Sequence, residues 1–497
     1  MNELLHCTPE QVGIPTRAVQ AFLDRAEQKG IELHSFMLLR HGKVCAQGWW
    51  KPYGPEYVHP MYSFSKSLTS TAIGFAVQEG LLALEDRLVD IFPDKLPENP
   101  SENLKKATIR DLLVMGCGHE TEPRGEKDWI RDFLAHPFVY EPGTMFQYNT
   151  EGTNMLCAAL YRKSGQQLTA FLRERLFDKI GVGEVACFAD PDDGTEIGGA
   201  GYRLRTEDMA RFMQFVLQKG VWNGERLLNE EWFHQATGKQ IETANDIYPG
   251  KEDWAVGYGF QFWRCKPAGV FRADGLWGQF GIAMTEQDAL LIITEATGHT
   301  QDTLDIVWGT LLPAFQEEAL PEDAAAQAAL EYRLKNLTLA ELPAGKLNPW
   351  DTAKRFEKAY GPAGKEPACF YLDMICSFLG GGEEPAALEK LSLIFEEDEA
   401  TLCLTEKGEE REIAIGLAGD YAYSSYRGEP VASMGRFRSH YVFEVEIRCV
   451  QTAFGIRALF QFGEGTLTVS RCKTLLGYGD EPAVPDLALR EVEEEDE

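Results

Sequence analysis

The chain has 497 residues, 44% hydrophobic and 25% charged, with a formal net charge of −30. That composition suits a globular protein of two to three domains, and its acidity argues against nucleic-acid backbones and anionic membranes as partners. The start, Met1-Asn2-Glu3-Leu4-Leu5-His6-Cys7, lacks a basic region followed by an apolar one, and no apolar run approaches the ~20 residues of a membrane span. Eleven scattered cysteines form neither a C-x-x-C pair nor a zinc-spaced cluster. The expectation is a reduced, cytoplasmic protein.

In chain order, Thr16 can cap a helix whose apolar residues Val19, Phe22, Leu23 and Ala26 follow helical spacing, with Gly30 closing it. Residues 34–50 form two β-like runs about a His41-Gly42 turn and predict a hairpin. A helix over 66–77 ends at Gly80, and prolines mark an irregular connection after Asp90-Ile91-Phe92-Pro93. Short helices are expected over 108–115 and 126–134. The Pro142-Gly143 turn then delivers the chain to Tyr148-Asn149-Thr150. Helical patterns fill 154–162, 168–179 and, after a glycine-rich loop at 194–201, the stretch from Thr206 to residue 219. Strand-like runs follow at 258–262, 280–284 and 289–294, then a helix over 304–315. One hairpin, a long helical body, several strands and a helix suit one antiparallel sheet with helices packed on it, an α+β domain over residues 1–320. Residues 321–345, with Leu342-Pro343-Ala344-Gly345, read as a linker. From 346 to 497, short strands at 391–395, 400–405, 412–415, 441–450, 455–462 and 466–471 predict an all-β meander or small barrel, with one helix near 350–359 and an acidic tail.

The chemistry centres on Tyr62-Ser63-Phe64-Ser65-Lys66-Ser67. Ser63 stands at a helix N-terminus, where free N–H groups favour negative charge, and Lys66 follows one turn later, its amine able to reach the Ser63 hydroxyl. A hydroxyl, an amine and an anion-stabilising helix end are the parts of an acyl-transfer site. On spacing alone the motif reads better as a serine-rich cap on a buried helix, since the same spacing recurs at Ser470 and Lys473. Tyr148 could present a phenol to Ser63; a neighbouring ammonium would lower its pKa, and the alternative is a core tyrosine. Ala273-Asp274-Gly275-Leu276-Trp277-Gly278-Gln279 would let a strand backbone approach a substrate, or is simply a hairpin turn.

In order and approximate spacing, Ser63-Phe64-Ser65-Lys66, Tyr148-Asn149-Thr150 and Ala273-Asp274-Gly275 resemble the three motifs of the serine β-lactamase and penicillin-binding-protein superfamily. The flanks Leu39-Arg40-His41-Gly42-Lys43, Pro142-Gly143-Thr144-Met145-Phe146-Gln147 and Gly278-Gln279-Phe280 are similar to its class C-like branch, which includes esterases and nylon-oligomer hydrolases. The resemblance covers about residues 8–316. It implies the β-lactamase/transpeptidase-like fold, Ser63 as nucleophile, and Lys66 and Tyr148 as the general-base pair. It also implies an oxyanion hole from the N–H groups of Ser63 and Leu276, with Gly275, Asn149 and Gln279 beside the substrate.

Two departures narrow the chemistry. Ala273 replaces the lysine that helps recognise a β-lactam carboxylate, Asp274 adds negative charge, and Arg272 reads as an exposed strand arginine. Thr150 replaces the usual Asn or Ser. The expectation is a serine hydrolase of small esters, amides or peptides. The alternatives are a β-lactamase or D-Ala-D-Ala carboxypeptidase, and a non-catalytic ligand-binding protein on the same fold. No metal or organic cofactor is called for.

Overall fold

The structure, a computed structural model, describes residues 4–123, 128–190, 192–245, 248, 250, 252–339, 353–364, 368–370, 372, 385–474 and 486–492. It divides into two compact units: Met1–Gly48, Val58–Glu295 and His299–Lys335 form the first, and Trp49–Tyr57, Ala296–Gly298 and Asn336–Glu497 the second.

Leu33–Arg40 is buried at all eight positions, so both its faces must be covered, and it lies inside the first unit's sheet. The seven strands run Leu5–His6, Lys43–Trp49, Leu33–Arg40, Ala289–Glu295, Gln279–Met284, Val270–Gly275, Trp263–Arg264. All neighbours are antiparallel where strands from the two ends of the unit meet, and only Leu5–His6 pairs in parallel. The α+β sheet built from both ends of the segment is therefore present. Helix Thr206–Leu217 packs on its central strands, and Thr16–Lys29 packs against Thr300–Thr310. Each Leu, Ile or Phe withdrawn from water there contributes about 1.5–3 kcal/mol.

Helix Ser65–Gln78 is embedded in the helical body: every residue from Ser65 to Ala76 is buried. Its apolar residues do not form a stripe because no side faces water. Gly74 meets the Trp232 ring, which a Cβ would approach to 2.7 Å. Helix Thr150–Ser164 packs against it.

Three local expectations change. The run 258–262 is not a strand: Gln261 has φ 64°, and its side chain donates to the carbonyls of Leu112 and Leu113, which turns the chain inward. The stretch read as a linker contains the helix Ala324–Lys335, capped by Asp323 and packed on Thr16–Lys29 through buried Ala326 and Leu330. Leu342-Pro343-Ala344-Gly345 lies outside the described residues, and of the helix near 350–359 the structure describes a single turn, Lys354–Phe356.

The second unit is a β-barrel. Its ten strands run Glu409–Gly416, Glu399–Glu406, Leu388–Phe395, Tyr360–Pro362, Leu487–Glu491, Thr466–Thr474, Gly455–Phe462, Val442–Cys449, Glu429–Ser439, Ala422–Tyr426. A parallel pairing of Gly416 with Met434 closes it. Strand Glu399–Glu406 shows the governing pattern, with Ala400, Leu402 and Leu404 buried and Thr401, Cys403 and Thr405 turned outward. The segment Trp49–Tyr57 belongs to this unit: Tyr53 and Tyr57 pack with Ala432, Val450, Leu339 and Tyr421. Among the described residues no helix is long and apolar enough to cross a membrane.

Candidate active site

Ser63 sits in the turn Tyr62–Phe64, directly before helix Ser65–Gln78. Three bonds hold that turn. Met61 N–H donates to Tyr202 O (2.8 Å), Phe64 N–H to Met61 O (3.0 Å), and Tyr202 N–H to the Ser65 hydroxyl (3.1 Å). Tyr62 has φ 45°, a strained value for a bulky residue that the surrounding contacts must enforce. Its ring meets Trp277 edge-on at 4.9 Å.

Lys66 is buried, and its Nζ donates to Gly199 O (2.6 Å), Ser63 Oγ (3.1 Å) and Thr150 Oγ1 (3.3 Å). Burial lowers its pKa to about 7, while the carboxylates of Glu122 and Glu151 and the Cys157 thiol push the other way. Near neutrality an appreciable fraction is the free amine. Such an amine keeps two N–H donors, which suit Gly199 O and Thr150 Oγ1, and one lone pair, which then faces Ser63 Oγ.

Tyr148 stands beside Ser63, whose side chain is the one group that holds its pKa down. Its ring lies 5.1 Å from Lys66 Nζ and stacks on Trp263 at 5.7 Å. The expected lowering of its pKa does not occur. Burial raises it, Asp274, Tyr248 and Glu122 raise it further, and only the bond to Ser63 opposes them. Lys66 is not among the groups that act on it. Burial thus favours the neutral phenol over the phenolate.

The third motif is strand Val270–Gly275 and the turn leading to Gln279–Met284. A Cβ on Gly275 would fall 2.2 Å from Met61 O, so glycine is what lets this strand lie against the chain leading into Ser63. Leu276 follows, its side chain 43% exposed. Arg272 is fully buried, not exposed: it donates to Asp274 (2.7 Å), Arg264 O (3.2 Å) and Cys265 Sγ (3.3 Å), with its guanidinium 4.6 Å from the Trp254 ring. Its charge and that of Asp274 offset each other inside the protein. The Arg272 Nε and Nη1 are engaged, while the buried Nη2 has no hydrogen-bond partner among the described residues.

Two residues placed beside the substrate do other work. Asn149 is buried and caps helix Thr150–Ser164, accepting from Gly152 N–H (2.8 Å) while its amide lies 3.1 Å from His119 Nδ1. Gln279 is fully buried and donates to Leu276 O (3.1 Å) and Glu295 O (2.8 Å). Both amides are buried, and their donors are engaged by His119 or by backbone carbonyls.

Sequence reasoning missed Thr150 and Gly199 as partners of Lys66. In the sequence Thr150 reads as a departure from the motif, although the hydroxyl it carries is the signal that could mark it. Its N–H donates to Glu122 at 2.5 Å. Gly199 lies in the glycine-rich loop, and a Cβ there would meet Thr150 Cγ2 at 2.8 Å. The competing pair Ser470 and Lys473 lies on strand Thr466–Thr474 of the barrel, where no helix N-terminus stands at Ser470. Among the described residues no cluster of His, Cys, Asp or Glu could hold a metal ion.

A family model described as Beta-lactamase matches residues 16–309. A 6-aminohexanoate-dimer hydrolase of Paenarthrobacter ureafaciens is 23% identical over 246 residues, 45% of this chain and 62% of the relative, so the match spans less than two thirds of that protein. A penicillin-binding protein homologue from Caulobacter crescentus superposes with a TM-score of 0.50 at 16% identity, over 62% of this chain and 99% of that one. A family VIII carboxylesterase gives 0.48 at 18% identity, over 62% and 99%. At such identities the structural likeness speaks for the fold alone.

Proposed function

We propose that this chain, which belongs to the Beta-lactamase family, is a serine hydrolase that cleaves small esters, amides or peptides through an acyl-enzyme on Ser63. The observation that carries this reading is the Lys66 Nζ to Ser63 Oγ contact of 3.1 Å, made by an amine whose pKa lies at about 7. Lys66 takes the Ser63 proton as Oγ attacks the carbonyl carbon, and negative charge develops on the carbonyl oxygen. The N–H groups of Ser63 and Leu276 receive that charge. As the tetrahedral intermediate collapses, the bond to the alcohol or amine breaks, and the leaving group takes the proton that the Lys66 ammonium received from Ser63, with the Tyr148 hydroxyl as a neutral hydrogen-bond donor beside it. Water then attacks the acyl-enzyme by the same route in reverse.

Substrate preference follows from the third motif. With Ala273 in place of lysine and Arg272 committed to Asp274, the site lacks a cation for a β-lactam carboxylate. A neutral ester or amide fits this better than a carboxylate-bearing lactam.

The test is a fluorophosphonate probe followed by intact-mass analysis, with a p-nitrophenyl ester, a chromogenic cephalosporin and D-amino-acid peptides as substrates. The wild type is expected to take one adduct at Ser63 and to turn over the ester well above the cephalosporin. Equal labelling and turnover by Ser63→Ala would overturn the mechanism. Faster cephalosporin turnover would overturn the substrate reading.

A further inference from the structure

An oxyanion hole works only if its N–H groups are aimed before charge develops, and the three-residue turn 276–278 is poorly suited to hold one still. Trp277 and Gly278 have φ of 61° and 92°, and the Leu276 side chain is substantially exposed. The Leu276 N–H shares its peptide plane with the Gly275 carbonyl and, in a trans peptide, points the opposite way. That carbonyl accepts from Gly278 N–H at 3.1 Å. The direction of the Leu276 N–H is therefore set by where Gly278 sits.

Beneath Gly278 lies Glu295, the last residue of strand Ala289–Glu295, fully buried. A Cβ on Gly278 would meet its Oε1 at 1.9 Å and its Cδ at 2.4 Å, so the carboxyl is packed against the glycine backbone. Its two oxygens lie 2.9 and 3.0 Å from Thr303 Oγ1. The Glu295 carbonyl accepts from Gln279, whose amide also holds Leu276 O. The turn is thus held from below at Gly278 and from the side at Leu276.

We propose that Glu295, seated on Thr303 and working with Gln279, is the positioning residue of the oxyanion-hole turn. The proposal rests on the serine-hydrolase reading. Burial raises the carboxyl well above the usual range, the Thr303 hydroxyl opposes this, and Asp274 raises it further, a balance that favours the protonated form. Asp274 is itself paired with Arg272.

The test compares wild type, Glu295→Gln, Glu295→Ala and Thr303→Val in fluorophosphonate labelling, kcat and KM on a p-nitrophenyl ester, and thermal unfolding. Loss of one oxyanion donor costs about 100- to 1,000-fold in kcat, so a misaimed donor is expected to cost about tenfold or more. Glu295→Ala and Thr303→Val should lose that much in kcat and in labelling rate, with KM within about threefold, because the donor acts in the transition state. Glu295→Gln, the neutral isostere, should recover most of the loss. If Glu295→Ala does not fold, Thr303→Val, which removes one hydroxyl, and Glu295→Gln carry the test. Unchanged kcat in folded variants would overturn the proposal, as would losses of stability and activity in parallel with no rescue by Gln. A wild type that takes no adduct at Ser63 would instead overturn the serine reading, and this proposal with it.

Discussion

Lys66 is where residue-scale physics and function meet. Its folded-state pKa of about 7 lies far below the ordinary 10.5, chiefly through burial. Activity is therefore expected to rise with pH through about 7, as the amine loses its proton, and Lys66→Met should abolish it; a pH–rate profile of ester hydrolysis checks both. The same shift affects stability. Between about 7 and 10.5 the unfolded chain binds more protons than the folded one, so this residue's contribution to stability rises with pH across that window. Lys66→Met should flatten that rise and unfold at a higher temperature than wild type at pH 7, as read by calorimetry over pH 6–10. Asp274 gives the opposite case. Asp274→Asn leaves the fully buried Arg272 without its carboxylate and is expected to cost about 3–5 kcal/mol in urea unfolding.

At the scale of elements, the site is a meeting of a helix start, a helix cap and a strand end, and close backbone approach is what brings them together. Gly275→Ala would drive a Cβ to 2.2 Å from Met61 O, with backbone rather than a flexible side chain as the obstacle. The expected outcome is a loss of about 1–3 kcal/mol in stability, with kcat falling more than KM changes. Gly199→Ala meets the Thr150 methyl and the carboxamide oxygen of Asn154 instead, and should disturb the Lys66 contacts first, visible as a shifted pH–rate midpoint. The three motifs were legible because each is a short local word. The run 258–262 was misread because its apolar residues alternate like a strand, while a positive φ at Gln261, fixed by bonds to residues almost 150 positions away, turns the chain.

At the scale of the molecule, the barrel includes a piece of chain from far upstream. Tyr53 and Tyr57 pack with Ala432 and Val450, and the Tyr53 hydroxyl donates to Thr452 O at 3.1 Å. Truncation after Lys335 would strip this cover. Soluble yield should fall, and Tyr53→Ser with Tyr57→Ser should recover part of it by removing exposed aromatic surface; soluble and insoluble fractions report the outcome.

Sequence alone determined what could be written locally: the acidic globular composition, the α+β order with an all-β region after it, and the spacing that puts Lys66 one turn after Ser63. It also singled out Tyr148 and the Gly275-Leu276 strand end. What the tertiary structure decided were matters of environment and distant partners. Lys66 is bonded to residues 84 and 133 positions away. Arg272, Asn149 and Gln279 are buried, the two amides bond to neighbouring backbone, and Glu295 lies against Gly278. The physical reason is one throughout. Spacing along a chain fixes which groups share a face, whereas pKa, hydrogen-bond partner and exposure depend on what the rest of the fold packs against them.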